Sequence, residues 1–89
     1  MSDELTGEEL SLKLVPAVEE QIASHETPYV KEHYERLLQL EEEDIDETEA
    51  KMLIALCLAD EVEMMQREDR AFNPFRYQQM LQFLPVLPE

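Results

Sequence analysis

The stretch that begins at Asp46 constrains this chain more than any other. Its side chain can accept a hydrogen bond from the Glu49 amide while Glu49 reaches back to the Asp46 amide, the reciprocal pairing that opens a helix. The run from Met52 to Ala59 that follows holds a single β-branched residue, so its leucines and alanines favour helix over buried strand. The spacing predicts one helix over 47–68. On a 100° wheel Ala50, Leu53, Ile54, Cys57, Leu58, Glu61, Met64 and Met65 share one stripe, whereas Met52 and Leu56 lie well round the other side. A helix with two faces to cover belongs at the centre of the fold.

The neighbouring segments carry weaker versions of the same signals. Thr27-Pro28 reads as N-cap and first helical residue, and Val30, His33, Tyr34, Leu37 and Leu38 repeat at helical spacing over about 28–40. Glu41 to Ile45 is an acidic connector. Asn73-Pro74 repeats the cap signal, with Phe72 and Tyr77 placed as a hydrophobic staple, Tyr77, Met80, Leu81 and Leu84 as the inward stripe, and Pro85 and Pro88 as stops. Near the start, Thr6 and Glu9 have capping-box spacing, but Pro16 removes a hydrogen bond and clashes with the Leu12 carbonyl in a continuous helix. A break is therefore expected there, with a short turn or helix in residues 1–14, or a flexible or extended segment, and then a helix over about 16–24 burying Val15, Val18 and Ile22. Leu10, Leu12 and Leu14 alternate as in a strand, yet such a strand has no ladder partner within the chain. The whole reads as one all-α domain, 1–89, a compact bundle of about four helices around the central one.

Composition narrows the chemistry. There are 22 acidic and 7 basic side chains, a formal net charge of −15, and residues 1–50 hold 16 of the acids against 3 bases. Nucleic acid and anionic lipid are repelled by such a field, so neither is an expected partner, whereas a basic protein is. The single glycine, Gly7, rules out glycine-rich phosphate loops and dinucleotide fingerprints. The lone Cys57 can make no intrachain disulfide, the acidic opening is unlike a signal peptide, and no apolar run approaches the ~18 residues that span a bilayer. A cytoplasmic location is expected.

No catalytic or metal constellation emerges. The acidic stretch from Asp44 has Glu49 where a calcium loop needs glycine and Ala55 where it needs a bidentate glutamate. His25, His33 and Cys57 lack the close pair spacings of structural zinc, and Cys57 among leucines is a poor nucleophile. Neither an enzyme nor a cofactor is expected. Glu61 stands out, because a carboxylate in an apolar stripe needs a partner. Arg36, Arg76, His33 and the Tyr77 hydroxyl are the expected donors of a structural polar cluster; a metal or acid/base site at Glu61 with His33 is the alternative. The C-terminal helix raises a different question. Phe75 and Phe83 point away from its inward stripe, and Val86 and Leu87 follow between two prolines. Either these residues fold back over Met52 and Leu56, or they form a patch that binds another chain, including a second copy.

His25 with Val30, Tyr34-Glu35-Arg36-Leu37, Glu49-Ala50, Leu58-Ala59-Asp60-Glu61, Phe72, Arg76-Tyr77, Leu81 and Leu84-Pro85 together resemble a small bacterial family of all-helical domains of unassigned function, over about residues 25–85. The resemblance implies the helical fold and a paired Glu61, and no activity. Function is thus expected to be that of a non-enzymatic interaction module, self-associating or not; an acidic inhibitor or nucleic-acid mimic that masks a basic surface is the competing expectation.

Overall fold

The structure, a computed structural model, describes residues 7–87. It contains four helices: α1 (Gly7–Ala23), α2 (Pro28–Leu38), α3 (Glu47–Glu68) and α4 (Pro74–Phe83). Among the described residues there is no strand, and no helix is long and apolar enough to cross a membrane.

The central helix has the expected bounds, and the Asp46 half of the expected cap forms. Asp46 has extended backbone and its Oδ1 accepts from the Glu49 amide at 2.8 Å. Glu61, in the C-terminal half of α3, is as buried as Ile54 and Cys57. The other three helices all pack on α3, and α2 also packs on α1 and α4. Val18 from α1, Val30 and Leu37 from α2, Ile54, Cys57 and Leu58 from α3, and Tyr77 and Leu81 from α4 meet in one core. Each large apolar side chain buried there stabilises the fold by roughly 1.5–3 kcal/mol. Leu53 packs against the same core from its edge.

Residues 7–23 correct the sequence reading. Pro16 lies inside a continuous helix, so no break occurs, and Leu10, Leu12 and Leu14 are helical rather than extended. Ser11, Leu14, Val15, Val18 and Ile22 recur at helical spacing across the proline and turn toward the core, where Ser11 and Val18 are fully buried. Pro16 and Leu12, whose carbonyl loses its intrahelical donor, face solvent. Water can satisfy that carbonyl, so the apolar stripe outweighs the ~3 kcal/mol an interior proline costs. Thr6 of the expected capping box lies outside the described residues.

Smaller corrections follow from hydrogen bonds. Helix α2 ends at Leu38, two residues early. Thr27 occupies the N-cap position without capping: its hydroxyl donates to the Gln21 carbonyl at 2.9 Å and ties the end of α1 to the start of α2. In α4 the cap forms as expected, Asn73 Oδ1 accepting from the amides of Phe75 and Arg76, and the Phe72 and Tyr77 rings meet edge-on at 5.6 Å.

Candidate functional site

Two features of α4 draw attention, the charged corner that holds its start and the apolar face it turns outward. The corner begins where α3 stops. Asp69 adopts the left-handed conformation (φ 50°), and the Arg70 amide donates back to the Met65 carbonyl at 3.1 Å. That reversal sends the Arg70 side chain back along α3, where its two terminal nitrogens donate to Glu61 Oε2 at 2.7 Å and Oε1 at 3.1 Å. Arg76, in the first turn of α4, donates to Glu61 Oε1 at 2.9 Å and to Asp60 Oδ2. The Asn73 amide supplies the fourth bond, to Glu61 Oε2 at 2.7 Å. Arg70 Nε also bonds Glu68 Oε1 at 2.6 Å.

Each oxygen of the fully buried Glu61 therefore accepts two hydrogen bonds, and the carboxylate sits at the positive end of α4. The Arg70 guanidinium does most to hold its carboxyl down at about 2, against the opposing effect of burial, with the Asn73 amide and Arg76 adding to it. A carboxylate so low and so fully bonded is a poor proton acceptor at neutral pH and has no free lone pair for a metal. Its chemistry is that of a fixed anion joining the C-terminal half of α3 to the start of α4.

Of the four donors expected from the sequence, only Arg76 meets Glu61. Arg36 reaches across from α2 to the other end of α4, donating to the carbonyls of Leu81 at 2.9 Å and Leu84 at 3.0 Å. His33 serves Arg36, its Nδ1 accepting from Arg36 Nε at 3.3 Å; burial, aided by the Arg36 charge, lowers its pKa. The Tyr77 hydroxyl donates to Gln21 Oε1 at 2.7 Å, linking α4 to α1, and burial raises its pKa. Arg70 was not foreseen, because a helical wheel describes residues within a helix and Arg70 arrives from beyond its end. Cys57 is buried and its thiol is pushed up to about 12, chiefly by desolvation. His25 is exposed, and among the described residues no three His, Cys, Asp or Glu side chains are grouped to hold a metal.

The outward face of α4 is apolar. Phe75 is 77% exposed, Phe83 70%, and past the helix Val86 is 69% and Leu87 42% exposed. They do not fold back over Met52 and Leu56. With Tyr77, Leu81 and Leu84 buried on its inner side, Arg70 and Arg76 at its start and Arg36 at its end, α4 is a short helix fixed along its length with two phenylalanines bare. Comparison with known protein families, with curated proteins and with solved structures finds no match.

Proposed function

We propose that this chain is a non-enzymatic cytosolic interaction module that docks a protein partner on the outer face of α4 and the residues that follow, Phe75, Phe83, Val86 and Leu87. The observation that supports the reading is the exposure of two phenylalanines on a helix whose ends are both fixed by arginines. Monomers seldom leave such apolar groups bare without use, and a face held rigid loses little entropy on binding. Neither nucleic acid nor membrane is a partner in this reading, and no cofactor takes part. The polar cluster around Glu61 positions the docking helix.

A second reading is favoured by a separate observation. Glu41, Glu42, Glu43, Asp44, Asp46, Glu47 and Glu49 are all exposed in and just after the α2–α3 connector. Such a run suits the masking of a basic protein surface, by inhibition or by mimicry of nucleic acid. One affinity-capture experiment separates the two. The docking reading expects proteins retained by the wild type to be lost by Phe75→Glu/Phe83→Glu and to survive added salt. The acidic reading expects loss when Glu41, Glu42, Glu43 and Asp44 are neutralised, and release by salt. An unchanged set of captured proteins with Phe75→Glu/Phe83→Glu overturns the first reading.

A further inference from the structure

We propose that the occupant of the α4 outer face is a second copy of this chain, packed α4 against α4 in antiparallel fashion about a twofold axis through Gln79. The inference rests on the reading of α4 as a docking face and adds what docks there. An interface between identical copies related by a twofold axis must be complementary to itself. The outer face of α4 is: after Pro74 its exposed residues are Phe75, Gln79, Gln82 and Phe83, and the two phenylalanines stand four residues before and four residues after Gln79. Reversing the helix direction about Gln79 brings Phe75 of one copy onto Phe83 of the other, twice over. The two Gln79 amides then meet on the axis, each able to donate and to accept.

Charge selects the same face. The chain carries a net charge of −15, so two copies repel wherever carboxylates oppose one another. Residues 71–87 hold one charged side chain, Arg76, and it is bonded to Asp60 and Glu61. Joining the two α4 faces therefore opposes no carboxylate from either helix. The area is also sufficient for a weak dimer. Each phenylalanine offers on the order of 150 Å². With Val86, Leu87 and the glutamines, the two copies bury roughly 1,000–1,200 Å², the low end for a specific contact and the range of weak, reversible association.

Sedimentation velocity of the purified chain tests this. The expected result is a concentration-dependent dimer that tightens several-fold as ionic strength rises from about 0.05 to about 0.5 M, because salt screens the repulsion between the acidic bodies. Phe75→Glu/Phe83→Glu is expected to be monomeric. Gln79→Glu, a milder change at an exposed position that keeps the helix intact, places two carboxylates face to face and is expected to weaken the dimer at least tenfold. Gln79→Cys is expected to lock into a disulfide-linked dimer on oxidation, while Lys31→Cys on α2 remains a monomer. A wild type that stays monomeric, a dimer indifferent to Gln79→Glu, or one weakened by salt overturns the pairing. If capture of other proteins still depends on Phe75 and Phe83, the docking face stands without the self-pairing; if it does not, both fall.

Discussion

Along α1, the chain is held to α3 by an apolar stripe that runs past a proline; at the α3–α4 corner, it is held by two arginines and a backbone amide converging on one carboxylate. An ion pair between α1 and α3, Lys51 with Glu19 at 3.1 Å, lies at the surface, where such pairs contribute little. The two regions differ in what they tolerate. Apolar burial is non-directional, so α1 absorbs a missing hydrogen bond as long as Val18 and its neighbours stay covered. A buried ion network is directional, and removing its central carboxylate leaves the Asn73 amide without its acceptor and the two arginines with only Glu68 and Asp60 as acid partners. Stability at the corner therefore depends on completeness, and stability along α1 on area.

Glu61→Ala separates the two regions most strongly. It removes the acceptor that the Asn73 amide, Arg70 and Arg76 share, leaving the partly exposed arginines with Glu68 and Asp60, and is expected to cost about 2–4 kcal/mol, read as a lowered urea midpoint or thermal midpoint. A loss no larger than that of an ordinary surface substitution would show that the corner is not held by the carboxylate.

Acid gives the next effect. Glu61 has its folded-state pKa depressed to about 2 from an ordinary 4.5, so its contribution is fully present above about pH 4.5 and disappears as pH falls toward 2. Acid also relieves the repulsion among the other carboxylates, equally in wild type and in Glu61→Gln. The stability difference between those two proteins is therefore expected to shrink steadily from pH 5 to pH 2. A difference that stays constant on acidification contradicts the assignment.

The smallest effect runs in the opposite direction. Pro16→Ala restores the hydrogen bond to the Leu12 carbonyl without disturbing the buried face and is expected to stabilise by about 1–2 kcal/mol, after the greater freedom of the unfolded chain is set against the gain. For a domain of this size that raises the thermal midpoint by roughly 5–15 °C. A destabilised variant would mean that the proline supports the packing of α1.

These regions also differ in how far they could be read from the chain alone. Helix α3 was legible from end to end, because its cap lies in consecutive residues and its stripe repeats without interruption. In α1 the same stripe is present at Ser11, Leu14, Val15, Val18 and Ile22, but Pro16 interrupts it, and a local signal for a break competes there with a pattern that spans it. That Phe75 and Phe83 face away from the core is legible, since position on a wheel decides it; their exposure depends on tertiary packing, which the wheel does not contain. At Glu61 burial and the need for a partner were legible. The choice of partner was not, because Arg70 reaches it through a left-handed turn at Asp69, whose geometry no periodicity encodes, and because Arg36 found carbonyls on α4 instead.

Arg36 lies forty-five residues before the Leu81 carbonyl it serves. A ten-residue helix is too short to persist by itself in water, and here its closing turn takes its hydrogen-bond donor from α2. The final helix is therefore the dependent member of the assembly, completed only once the preceding segments are in place. The surface it displays exists as a shape only in the finished molecule.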